Sequence, residues 1–253
     1  MLTSQDVSKR VLANMSKKKI KETKAKLKGI QPFNANGNVE LTEEERAVLM
    51  DEIKPHLIAI FEKLKFNLED PNFMDTPNRV ASMWVNELMV GRFMKKPRIE
   101  KFPVEHDDEI PVELMSEIIG DAVMYDGMIV KKIDIRSLCS HHLMPFFTEG
   151  DDSYALVAYI PTTHFLGISK IQRLAHWLGA APQLQEQLTK NIYKEMTRVL
   201  GTQNVYVLLK NLTHTCETLR GAKTECGSTT THFYGGSFRD INKRQEAVSL
   251  VRN

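Results

Sequence analysis

Two short segments far apart in the chain, Ser137 to Phe147 and Thr213 to Gly221, each place a cysteine beside histidine. Cys139 and Cys216 offer thiolates, and His141, His142 and His214 offer imidazoles, the donor types that a zinc ion prefers. A fold that uses them has to carry two remote segments to one point and hold both there. Three protein ligands leave a fourth position for water, and these five donors exceed what a tetrahedral ion can take. A surplus of histidines fits hydrolytic chemistry, in which protons move while a metal activates water.

Composition narrows the setting. The chain has 253 residues, 42% of them apolar and 26% charged, as in an ordinary water-exposed globular protein. No apolar run approaches the roughly 18–20 residues that cross a bilayer, and the N-terminus lacks the apolar core of a signal peptide. A cytoplasmic location without membrane contact is therefore expected. Three cysteines cannot all pair, which suits a reducing compartment and use as thiolates.

The net charge of +2 hides an asymmetry. Residues 1–30 hold eight lysines and Arg10 against Asp6 and Glu22, a net +7, which leaves the other 223 residues at −5. With few large apolar residues, this stretch reads as a solvated, flexible basic arm and linker over 1–40 rather than a nucleic-acid contact. The rest of the chain is mildly acidic, so an anionic substrate needs local basic residues to draw it in.

Periodicity divides the remaining residues into elements. Thr42 and Glu45 form a capping-box pattern that opens a helix through Leu49, Ile53, Leu57, Ile60 and Leu64, with Pro55 expected to kink or split it. Asp75-Thr76-Pro77 is a second helix start, with Gly91 as its stop. Ile133 and Ile135 alternate with Asp134 and Arg136 in a strand expected to run directly into Cys139. A strand around 154–160 comes next, then a helix capped by Ser169 and ending near Gly179. A longer helix opens at Pro182 and stops at Gly201. Asn204–Leu212 reads as a strand delivering His214 and Cys216, and Thr229–Phe238 as the last strand, before a short closing helix. Helices gathered upstream of paired strands argue for an α+β chain with an antiparallel sheet.

Between residue 42 and the C-terminus the chain resembles the type I GTP cyclohydrolase family. The likeness rests on Asp75-Thr-Pro-Asn-Arg-Val80, Cys139-Ser-His-His142, Ala158-Tyr-Ile-Pro161, Gly167-Ile-Ser-Lys170, Gln183-Leu-Gln-Glu-Gln-Leu-Thr189, His214-Thr-Cys216 and Arg220-Gly221. The resemblance implies the tunnelling fold (T-fold): an antiparallel sheet with two helices packed on one face, preceded by N-terminal helices. It divides the catalytic domain, 41–253, into a helical part over about 41–95 and a tunnelling-fold part over about 113–253. It also implies rings of subunits, a homodecamer of two stacked pentamers with active sites at the interfaces.

The implied reaction converts GTP and water to 7,8-dihydroneopterin triphosphate and formate, the first step towards pterins, folate or 7-deazaguanines. One zinc ion per subunit would be held by Cys139, His142 and Cys216, with His141 and His214 as catalytic proton carriers and Ser169 helping at the ribose. Glu186 would accept from the guanine N1–H and amine, with Gln185 beside it among the substrate-binding residues. Arg220, Lys170, Arg173 and Arg79 would meet the triphosphate, Arg79 in a neighbouring subunit's site. His56, His106, His164, His176 and His232 match no catalytic position, and Cys226 no ligand position. Two departures stand out: Ser140 replaces the usual glutamate of Cys-Glu-His-His, and the turn Thr148–Ser153 is longer than usual. A non-catalytic zinc module or a nitrile reductase of the same fold would lack part of this set, and no part is missing.

Overall fold

The computed structural model describes residues 4–104, 127–221, 223 and 227–251, with side chains from residue 8. His106 and Cys226 fall outside them. The chain forms two compact units, Met1–Lys96 with Ala180–Pro182, and Pro97–Gly179 with Gln183–Asn253.

The first unit is helical. α1 (Ser4–Asn14) and α2 (Lys17–Gly29) precede α3 (Glu43–Lys63) and α4 (Thr76–Met83). A π-helical turn over Trp84–Leu88 and α5 (Val90–Phe93) follow. The capping box is complete: Thr42 Oγ1 accepts from the Glu45 N–H, and the Glu45 carboxylate accepts from the Thr42 N–H. α3 then runs through Pro55 without a split. The proline removes one helical hydrogen bond, while Ala47 and Met50 before it and Leu57 after it are buried in one cluster with Ala81 and Val85. Gly91 sits inside α5 rather than closing α4, and its N–H donates to the Ala180 carbonyl at 2.7 Å.

The expectation of a flexible arm needs correction, because both basic segments are helices packed on α3. Val11 and Leu12 of α1 lie against the Ala47–Val85 cluster. Lysines of α2 meet acids of α3: Lys19 with Glu44 at 2.8 Å, Lys24 with Asp51 at 3.6 Å, and Lys26 with Glu45. The acidic first turn of α3, Glu43 to Glu45, is what makes this lysine-rich stretch a partner rather than a tail.

The second unit is built on an antiparallel sheet. Its strands are β1 (Lys101–Pro103), β2 (Ile129–Ile133), β3 (Arg136–Cys139), β4 (Pro145–Phe147), β5 (Tyr154–Tyr159), β6 (His164–Leu166), β7 (Pro182–Gln183), β8 (Val205–His214) and β9 (Ser228–Tyr234). The main sheet runs β2-β5-β8-β4-β3-β7, with β9 also on β8, and β1 pairs with β6 separately. Helices α6 (Ile168–Gly179) and α7 (Gln185–Leu200) cover one face. There Ile171, Leu174, Leu188, Ile192 and Met196 pack on Ala155, Val157, Val207 and Leu209. α8 (Thr215–Thr218) is one turn beyond β8. On the other face, Phe238 and Ala247 of the 3₁₀ turn Gly236–Arg239 and α9 (Ile241–Ser249) cover Tyr154, Leu156, Tyr206 and Leu208.

Four boundaries differ from the sequence reading, one of them the last strand, which ends at Tyr234 because Gly236–Arg239 turns into a 3₁₀ helix. The strand expected to run into Cys139 breaks at Asp134–Ile135, because β2 pairs with β5 whereas β3 pairs with β4. At the break the Ile135 N–H donates to Thr148 Oγ1, and the Thr148 N–H donates to the Ile135 carbonyl. α7 begins at Gln185, since Pro182 and Gln183 are extended. α6 begins at Ile168, so Ser169 lies inside its first turn instead of capping it. The stop at Gly201 is as expected, in the left-handed region at φ 72° with its N–H on the Thr197 carbonyl.

Candidate metal and active site

One inserted residue sets up the site. Along β8, Val205, Val207 and Leu209 face the helices, while Tyr206 and Leu208 face the opposite side. Simple alternation would turn Asn211 and Thr213 towards the helices. Instead β8 advances from Leu209 to Leu212 while β9 moves only from Thr231 to Thr229, so β8 carries a bulge. Asn211 takes it up at φ 52°, a left-handed conformation that asparagine tolerates. Beyond the bulge Leu212 joins the helix-covered core, and His214 follows it on that face.

The turn Thr148–Ser153 locks onto this bulge. Ser153 Oγ donates to the Asn211 carbonyl at 2.8 Å, and Asn211 Nδ2 donates to Asp152 Oδ2 at 2.8 Å. Lys210 pairs with Asp152 as well.

The β3–β4 hairpin brings the other half. The Cys139 N–H donates to the Met144 carbonyl and the Leu143 N–H to the Cys139 carbonyl, both at 2.8 Å, closing a tight loop around Ser140, His141 and His142. Leu143 sits at φ 53° in that loop. The Ser140 N–H donates to the Gln183 carbonyl at 3.3 Å, anchoring the hairpin tip through its backbone. On the β8 side, Thr215 Oγ1 donates to the Pro145 carbonyl at 2.6 Å and ties α8 to β4.

These constraints bring Cys139, His142 and Cys216 together, with one ligand atom of each within 4.8 Å of the others. Tetrahedral ligands on bonds of about 2.0–2.3 Å lie about 3.5 Å apart, so a contraction of about an ångström closes the set on an ion. Cys139 is buried, Cys216 half-buried and His142 exposed, which leaves one open side. Both cysteines are free thiols. Burial pushes the Cys216 thiol above its ordinary value, and the neighbouring Cys139 adds to the rise, while Arg220 opposes it. Two thiolates at this distance repel, and a cation between them would remove that penalty. The donor set therefore fits a metal ion.

The remaining expected residues lie in three places. His141 is exposed, its ring 6.2 Å from that of His142 and nearly perpendicular to it. His214 stacks flat on Phe146, its cross-strand partner in β4, with ring centres 4.8 Å apart and planes at 4°. Burial pushes the His214 ring below the usual histidine value, against the pull of Glu217 and Glu186. Glu186 is thus electrostatically in touch with His214, and Arg220 with Cys216.

Gln185 is different: it is buried behind His214, with Oε1 2.6 Å from His214 Nε2. In the first turns of α6, Ser169 and Arg173 are exposed, and the Lys170 ammonium pairs with Glu100 at 3.3 Å. Arg79 belongs to the helical unit, where it pairs with Asp75 at 3.5 Å. Sequence reasoning missed Phe146, whose only signal is its place opposite His214 in the strand register. It also missed Thr189 and Thr231 behind Gln185.

A soft-donor set able to hold a metal, with a half-buried histidine beside it, is a layout that hydrolytic enzymes use. The chain is a member of the GTP cyclohydrolase I family, whose model matches residues 53–252. It is 33% identical over 217 residues to the GTP cyclohydrolase 1 proteins of Salmonella gallinarum, Salmonella arizonae and Salmonella newport, covering 85% of this chain and 86% of each relative. Among the described residues, no helix is long and apolar enough to cross a membrane.

Proposed function

We propose that this enzyme hydrolyses and rearranges GTP to 7,8-dihydroneopterin triphosphate with release of formate, using one zinc ion held by Cys139, His142 and Cys216. The observation that carries the reading is the convergence of those three ligand atoms within 4.8 Å, at the meeting of a hairpin tip and the end of β8. Two sulfurs and one imidazole are a zinc-type donor set with one position left open. When bound, zinc supplies a water whose pKa is lowered towards about 7.

The protein's own residues do the rest. His214 would take up a proton on its ring and hand it to N7 of the guanine as the imidazole ring opens. His141, exposed beside the ligand His142, is placed to serve the later proton transfers with Ser169 as the ribose opens and rearranges. Glu186 at the start of α7 would accept the paired guanine donors, which adenine lacks. Lys170, Arg173 and Arg220 would hold the triphosphate, with Glu100 exchanged for phosphate oxygens at Lys170. The tunnelling fold and the ring of two pentamers belong to the same proposal. The antiparallel sheet with α6 and α7 on one face supports it, and Arg79 would then act in a neighbouring subunit's site.

The test joins metal analysis to product identification. Purified protein should contain close to one zinc per chain and release formate from GTP together with a product that oxidises to a fluorescent pterin. Full activity after exhaustive chelation would refute the zinc-dependent reading. Light scattering reports the decamer.

A further inference from the structure

Behind His214 lies a buried polar chain that the reaction above does not use. Gln185 is 3% exposed and Thr189 1%. Gln185 Oε1 faces His214 Nε2 at 2.6 Å. On its other side, Gln185 Nε2 donates to the Thr229 carbonyl and to Thr231 Oγ1, both at 3.0 Å. Thr189 Oγ1 lies 2.7 Å from Thr231 Oγ1 and 2.9 Å from the backbone carbonyl of Gln185.

The hydrogens in this chain can be placed one by one. The Thr229 carbonyl only accepts, so the amide nitrogen of Gln185 has to face it, which turns Oε1 towards His214. A second route starts from Thr189. Its one hydroxyl hydrogen goes to the Gln185 backbone carbonyl, so Thr231 donates to Thr189 and keeps its oxygen to accept from Gln185 Nε2. Both routes give the same orientation. Oε1 has no hydrogen to give, so the hydrogen in the bond to His214 sits on Nε2, and the lone pair of the neutral ring is on Nδ1.

We propose that Gln185, oriented by Thr231 and Thr189, is a positioning residue that holds neutral His214 as its Nε2–H tautomer, so that Nδ1 is the ring atom that exchanges protons during the reaction. The inference rests on the reading of His214 as a proton carrier, and it moves Gln185 from substrate contact to support of that histidine. In the forward step the Nδ1 lone pair takes a proton from a water molecule on the open side of the site, leaving hydroxide, and the imidazolium keeps donating through Nε2–H to Gln185. In the return step the proton leaves Nδ1 for the substrate and the N–H electron pair stays on the nitrogen. Phe146 fixes the plane of the ring while Gln185 fixes its hydrogen.

The test uses the zinc-loaded full-length protein with 15N-labelled histidine, studied by magic-angle-spinning NMR above the titration range of the ring. His214 is assigned by difference from His214→Asn. A pyrrole-type nitrogen at Nε2 and a pyridine-type nitrogen at Nδ1 are expected; the reverse assignment, or a mixture of tautomers, overturns the proposal. This measurement needs no GTP, so it stands or fails separately from the proposed reaction. In kinetics, Gln185→Leu should lower kcat by about 10- to 100-fold with KM for GTP and zinc content little changed. Thr231→Val should act in the same direction and Thr231→Ser should restore the rate. A raised KM with kcat intact in Gln185→Leu would return that side chain to the substrate and overturn the assignment. Should Gln185→Leu not fold, the Thr231 pair and the wild-type spectrum decide alone.

Discussion

Cys139 sits close enough to Cys216 to add to the cost that burial sets on ionising it, a cost that a bound cation would relieve. Cys139→Ser, Cys216→Ser and His142→Ala should therefore each lose most of the bound metal and the activity with it. His141→Ala should keep close to one metal per chain while losing pterin formation. Metal retention in His142→Ala with loss in His141→Ala would show that the adjacent histidines exchange roles. His214 gives a pH prediction. Its folded-state value lies below the ordinary 6.5 because of burial, so on acidification the unfolded chain takes the proton first. Its contribution is complete above about 6.5 and is lost as pH falls through the lowered value. Urea unfolding of metal-free protein should weaken from pH 7 to 5, and less steeply in His214→Asn. The residues that could hold a metal were legible in the sequence because cysteine beside histidine is rare and chemically narrow. Gln185, Thr189 and Thr231 were not legible as a group, since each is a common residue and only the register of β8 on β9 brings Thr231 to α7.

At the scale of elements, the bulge at Asn211 decides which side of the sheet receives His214. Deleting Asn211 should restore simple alternation and turn His214 away from Gln185. The expected result is a protein with native-like far-UV circular dichroism that has lost metal and activity together. Close approach matters at Gly179, where an added Cβ would stand 2.6 Å from the Arg136 carbonyl of β3. Gly179→Ala should cost about 1–3 kcal/mol in denaturant unfolding, because the strand leading to Cys139 has to move aside. The strand at Ile133 was readable from its alternation and α3 from its capping box, whereas the short strands β1, β4, β6 and β7 left no such pattern. The break at Asp134–Ile135 was not, because the apolar pattern continues across it and only the change of partner from β5 to β4 imposes it.

At the scale of the whole molecule, the basic N-terminal stretch is the largest departure from what composition suggests. Lysine-rich sequence with few large apolar residues reads as a free tail, and nothing within residues 1–30 reveals the acids of α3 that receive it. Ion pairs as open to solvent as Lys19–Glu44 and Lys24–Asp51 each contribute at most about 1 kcal/mol, so Val11 and Leu12 in the cluster on α3 should matter more. Removing residues 1–30 should lower the melting temperature of the helical unit clearly, whereas raised salt on the intact chain should lower it only slightly; calorimetry separates the two. The lysines of α2 thus serve as built-in counterions to α3. Proteolytic clipping at Ile30 would remove a net charge of +7 and take the chain from +2 to −5. A clipped sample would then bind an anion-exchange resin that the intact protein passes through, so chromatography alone would report whether those two helices are still attached.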